Sequence, residues 1–166
     1  MISAAPPAEF ALIFDIAREG YRTVWFPASG LLFVALGVAA VVYERRSRPA
    51  ASNWRRALGP WALLTFTSLW TLTAGVSTYR EYANLRRAVE AGEVQYVEGP
   101  VESFLPMPVN GHGVEQFEVH GKHFEYSPNV VSAGFNKPST QGGPIRAGRY
   151  VRVGYVGQTI VRLETR

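Results

Sequence analysis

The chain has no cysteine, only two methionines and three histidines, and long runs of its 166 residues carry no charge of either sign. Lack of cysteine excludes disulfides, thiolate metal ligands and a cysteine nucleophile, so the compartment has to be read from topology. Ser139 and Thr140 have no neighbouring His or Lys to activate them. The glycine-rich stretch 134–145 lacks a Gly-Lys-Ser/Thr ending and opens onto a strand, which excludes a phosphate cradle. What is present is 47% hydrophobic and 18% charged residues with a net charge of +4. The size fits one membrane-anchored module.

Two stretches are free of charge: 21 residues from Thr23 to Tyr43 and 23 from Ala57 to Tyr79. At about 1.5 Å per helical residue, each is long enough for a hydrocarbon core of roughly 30 Å. They predict two transmembrane helices (23–43 and 57–79), with Pro27 and Pro60 in first turns, where a missing N–H costs little. Trp25, Tyr43, Trp61 and Tyr79 stand at the expected membrane interfaces. A cleaved signal peptide is disfavoured, because the first run is long, follows a mixed-charge segment and has no small-x-small site before Glu44. Ser68, Thr71, Gly75 and Thr78 recur at helical spacing and predict a packing face that Gly30 and Gly37 receive within the hairpin. Neither run holds an ionisable group between its ends, which argues against a proton or ion pathway.

The connection 44–56 carries Arg45, Arg46, Arg48, Arg55 and Arg56 against Glu44 alone, and positive charge in a short loop predicts a cytoplasmic location. Both flanks then face outwards, into the periplasm of a bacterium, although Arg80, Arg86 and Arg87 oppose that bias in part. Before the first span, residues 1–22 place Phe10, Ile13, Phe14, Ala17 and Tyr21 at helical spacing, predicting an amphipathic helix against lipid or a partner protein. After the second, Tyr82, Leu85 and Val89 extend the helix over 80–91, with Gly92 as its stop.

From 92 to 166 the pattern changes to short alternating runs, the mark of a small antiparallel β-barrel-like domain of the OB or SH3-like kind. Strands are expected near 94–98, 101–105, 114–119 and 122–126, with a hairpin over 149–163. In Phe117 to Phe124, a two-residue His120-Gly121 turn sets Phe117 opposite Phe124 and Glu118 opposite His123. In the last hairpin a three-residue loop, Val156-Gly157-Gln158, keeps Val151, Val153 and Tyr155 on one face with Val161 and Leu163. The long connection 127–148 carries apolar anchors at Phe135 and Ile145, so it should pack. Phe135, Asn136, Gly142, Gly143, Pro144 and Ile145 form its candidate interaction surface.

Glu98-Gly99-Pro100-Val101, Phe104 with Pro106 and Pro108, Gly111-His112, the 117–126 hairpin, Gly134-Phe135-Asn136 and Gly142-Gly143-Pro144-Ile145 resemble an uncharacterised family of small bacterial membrane-anchored proteins. The resemblance covers residues 94 to 164 and implies a bacterial origin without supplying an activity. His112, His120 and His123 are weak metal candidates, because His120 lies in a turn while His123 pairs with Glu118. An arginine face for nucleic acid is disfavoured, since 92–166 holds seven basic and seven acidic residues. Neither a cofactor nor a small-molecule substrate is indicated, and no nucleophile, base and orienting group come together.

The expected protein is therefore a non-enzymatic subunit of a larger complex in the bacterial inner membrane, with other subunits and lipid as partners. A periplasmic ligand- or metal-sensing module is the alternative. A C-terminal fusion to a reporter active only in the cytoplasm is expected to be silent, and one active only in the periplasm to give signal; the reverse pattern overturns the orientation.

Overall fold

The computed structural model describes residues 9–47, 54–108 and 113–166, and says nothing of the side chains at 54–57, so Arg48, His112 and the arginines Arg55 and Arg56 lie outside what is described. The chain forms two compact units: one runs from Tyr21 to Glu81, and the other joins the residues up to Gly20 with those from Tyr82 onwards.

The first unit is a pair of helices, α2 (Trp25–Ser47), entered through a 3-10 turn at Arg22–Val24, and α3 (Trp54–Glu90) as far as Glu81, the rest of α3 belonging to the other unit. Pro27 lies in the first turn of α2 as expected. Pro60 does not do so in α3, because that helix already begins at Trp54 and the proline stands inside it, removing one donor from the ladder. The helix then runs unbroken to Glu90, so the second uncharged run and its extension are one element. Gly92 at φ 74° stops it, and the N–H groups of Gly92 and Glu93 return to the carbonyls of Val89 and Ala88.

Small side chains set the fit between these helices. A Cβ on Gly30 would lie 2.3 Å from Thr71 Oγ1, and one on Gly37 would lie 2.9 Å from the Leu64 Cα, so both positions require glycine. The Tyr21 hydroxyl meets that of Thr78 at 2.5 Å, and Phe26 packs edge-on to Trp70 with ring centroids 5.5 Å apart. A Cβ on Gly75 would meet the Pro27 side chain at 3.5 Å, an ordinary contact. The expected face is thus present with one correction: Ser68 is exposed, and the buried hydroxyl is Thr67, 6% accessible and bonded back to the Leu63 carbonyl. Leu64, Thr67, Thr71, Gly75 and Thr78 keep to one stripe of a 3.6-residue helix, and Ser68 lies beside it.

Outward, both helices are apolar, with Leu32 at 64%, Phe66 at 68% and Leu72 at 65% exposure. By length and composition one helix, Arg22–Ser47, qualifies to cross a membrane, and only 17% of its apolar window is buried. The second uncharged run falls short because seven of its 23 residues are Ser or Thr. Trp25, Tyr43, Trp61 and Tyr79 are all exposed, the first two near the ends of α2 and the last two inside the longer α3.

The second unit holds seven strands. The four-stranded sheet has the order β1-β7-β6-β2, from Ala11–Asp15, Thr159–Thr165, Tyr150–Val156 and Gln95–Pro100; β3 (Glu102–Leu105), β4 (Glu115–Val119) and β5 (Lys122–Tyr126) form the other. The N-terminal segment is therefore not an amphipathic helix. Its apolar residues make β1, antiparallel to β7 from Ala11 opposite Thr165 to Asp15 opposite Arg162, and only one turn of helix, α1 (Ile16–Glu19), follows, capped by the Asp15 carboxyl group. This pairing also explains why no closed barrel forms among the described residues: β7 spends one edge on β6 and the other on β1, and none remains for β5.

Val101 bends one chain segment from β2 into β3, its N–H and carbonyl bonded to Arg149 and Gly148. The β4–β5 register is the expected one, with Phe117 opposite Phe124, Glu118 opposite His123, and His120 and Gly121 both at positive φ. The last hairpin differs. Its turn has two residues, Gly157 and Gln158, and the apolar sides are brought into phase by a bulge at Val161, which leaves Ile160 and Val161 both buried.

Aromatic rings thread the core, Phe14 on Phe135 at 5.8 Å, Phe135 on Tyr126 at 5.2 Å, and Phe117 stacked on Phe124 at 5.2 Å. Phe14 is 2% exposed. Truncation of Phe14 to alanine should destabilise the β unit by about 3–5 kcal/mol. Denaturant unfolding of the full chain in detergent, with amide exchange read at β7, measures this; unchanged protection at β7 would show that β1 does not hold the sheet.

Candidate functional site

Glu115 is wholly buried, and a buried carboxyl group is costly unless donors surround it. Four do. The Tyr126 hydroxyl, its cross-strand neighbour, donates to one oxygen; the Ser139 N–H reaches both oxygens at 3.0 and 2.9 Å; the Ser139 hydroxyl donates at 2.5 Å and the Met107 N–H at 3.5 Å. Burial first, and then the bond to Glu115, raise the Tyr126 phenol above its ordinary value of 10.0, which keeps it a neutral donor.

This cluster fastens the long connection 127–148 to the strand beneath it. Arg146 gathers the carbonyls of Gly143, Ile145 and Ser139 at 2.7, 2.6 and 3.3 Å, and Arg149 bonds that of Pro144 at 2.9 Å. A Cβ on Gly143 would lie 2.0 Å from the Lys137 carbonyl, so only glycine passes there. Gly142, at φ 79°, ends the 3-10 turn Ser139–Gln141. Phe135 and Ile145 are buried. The loop packs as its apolar anchors suggested, but as a contact surface it is corrected: Phe135 and Ile145 belong to the core, and Gly142, Gly143 and Pro144 shape its backbone. Of the six, Phe135 and Asn136 border an opening, a cleft of about 220 Å³ whose walls include Tyr126, Val130, Ser132 and Ile160.

Sequence reasoning passed over Glu115. The signal was there: in Glu115-Gln116-Phe117-Glu118-Val119 the odd positions point inward, so an acid at the first of them demands buried partners.

The described histidines do not converge. His120 stacks its ring over Gly99, where an added Cβ would sit 2.6 Å from its Cδ2, while His123 Nδ1 lies 3.8 Å from Glu118 on an exposed face. No group of three or more His, Asp or Glu suited to a metal occurs among the described residues.

Nor do the arginines of the four-stranded sheet form a basic face. Arg162 contacts Asp15 at 3.7 Å and Glu164 at 2.6 Å; Arg152 contacts Glu164 at 3.2 Å and Glu98 at 2.8 Å, with Phe10 beneath its guanidinium at 4.3 Å. Acid and base alternate across β1, β7, β6 and β2, and the charge is spent internally. The helix-packing residues lie in the helix-pair unit and, Ser68 apart, belong to its internal face.

Comparison with protein-family models, with curated proteins and with solved structures gives no match for this chain.

Substituting Glu115→Gln turns an amide donor toward N–H and O–H donors and should cost about 3 kcal/mol of stability. A second expectation concerns pH. A phenol whose folded pKa is raised contributes stability in full below the unfolded value, near 10, and loses it as pH rises towards the folded value. Unfolding midpoints across pH 8–11 should therefore fall in the alkaline range for the native chain and fall less for Tyr126→Phe.

Proposed function

We propose that this protein is a non-enzymatic, two-span subunit of an inner-membrane complex, in which the helix pair anchors a β domain held at the periplasmic surface for contacts with other subunits. The observation that carries this reading is the pairing of β1 with β7. One strand precedes the helix pair and the other follows it, so a sheet made of both supports a reading in which the two flanks share one side of the membrane. The segment between them then crosses an even number of times.

If α2 spans, α3 spans with it. The hydroxyl groups that lower its hydropathy suit that setting, because Thr67 and Thr78 return their protons to the carbonyls of Leu63 and Ala74 within the helix. The exposed leucines and phenylalanines on the outside of the pair support the same reading, since so continuous an apolar surface is unfavourable in water. The basic connection puts the turn of the pair in the cytoplasm. Glu115, the most deeply buried acid among the described residues, is engaged in fastening a loop.

A second reading, a small-molecule sensing module, rests on the cleft beside Asn136. Purification of the tagged chain from native membranes in mild detergent, followed by mass spectrometry, separates the two. Stoichiometric recovery of other membrane proteins is the expected result. Recovery of this chain alone, or only with copies of itself, counts against the subunit reading and makes the cleft the next target.

A further inference from the structure

Where α2 ends, Tyr43 is 73% exposed, Arg45 and Arg46 are exposed, and the Arg45 guanidinium lies over the Trp61 ring of α3 at 5.2 Å. Three arginines elsewhere are ion-paired: Arg152 and Arg162 with Glu98, Glu164 and Asp15, and Arg86 with Glu90. Among the described residues no ion pair engages Arg45 or Arg46. Over residues 44 to 56 the sequence sets five arginines against one glutamate, an excess of positive charge.

We propose that Arg45 and Arg46, framed by Tyr43 and Trp61, bind the phosphate of an anionic phospholipid headgroup. The proposal rests on the membrane reading above. Trp and Tyr settle at the headgroup level, and an arginine stacked on such a ring is held at that depth. A guanidinium offers a planar fork of donors that matches two phosphate oxygens at once, which a hydrated ammonium does not. The apolar flanks of the helices supply the surface along which the acyl chains of the same lipid lie.

The test uses the full chain reconstituted in phosphatidylcholine discs, with phosphatidylglycerol titrated in and thermal unfolding followed. A rise in midpoint with phosphatidylglycerol is expected, and the double variant Arg45→Gln/Arg46→Gln should bind about 30-fold more weakly, the equivalent of about 2 kcal/mol at about 1 kcal/mol per arginine. Arg86→Gln, which removes one positive charge from a residue already paired with Glu90, should leave the response intact. An equal loss in Arg86→Gln, an undiminished response in the double variant, or a matching response to inorganic phosphate overturns the proposal. A chain that does not enter the discs at all instead sinks the membrane reading on which it stands.

Discussion

The antiparallel ladder between the first strand and the last is the constraint on which the β unit depends. It occupies the free edge of β7, and so decides that the strands form two sheets and not a barrel. It carries Phe14 into the ring cluster beside Phe135, and Asp15 to the end of the charge ladder that runs through Arg162, Glu164 and Arg152 to Glu98. Remove β1 and one edge of the sheet, one wall of the core and one end of that ladder go together.

Glu115 plays a comparable part for the long connection. A loop of this length in a small domain loses a large conformational entropy on ordering. Its order here comes from two apolar anchors and a buried acceptor that draws donors from three separate segments, Met107, Tyr126 and Ser139. Because each donor would be left unsatisfied in the interior without that acceptor, the cluster specifies the path of the loop more strictly than apolar burial alone could.

Much of this was legible in the sequence. The β4–β5 hairpin could be read to the residue because the His120-Gly121 turn and the Phe117–Phe124 alternation are local signals that agree. The helix pair is visible from its uncharged runs, and a face of small residues met by Gly30 and Gly37 from their spacing; that Gly30 meets Thr71 and Gly37 meets Leu64 comes from the structure. The failures share a cause, which is pairing across long sequence distances. Phe10, Ile13, Phe14, Ala17 and Tyr21 fit a helical period by themselves; what makes Ala11–Asp15 a strand is β7, some 150 residues away. The Val161 bulge satisfies both strands of its hairpin and is written in neither. Spacing points to Ser68 where Thr67 is the buried hydroxyl, because a stripe read from spacing alone carries an uncertainty of one position that only the partner helix resolves.

Joining Ala11 to Thr165 encloses almost the whole chain in one loop, and closing so long a loop is slow when the ends must find each other by diffusion. The helix pair shortens that search. Once α2 and α3 have zipped together and Tyr21 meets Thr78, the intervening residues no longer count as free chain. What remains to be closed is the short lead-in from β1 to Tyr21 and the run from Thr78 to β7. The hairpin thus acts on the entropy of the unfinished domain much as a covalent cross-link would, in a chain that has no cysteine with which to make one.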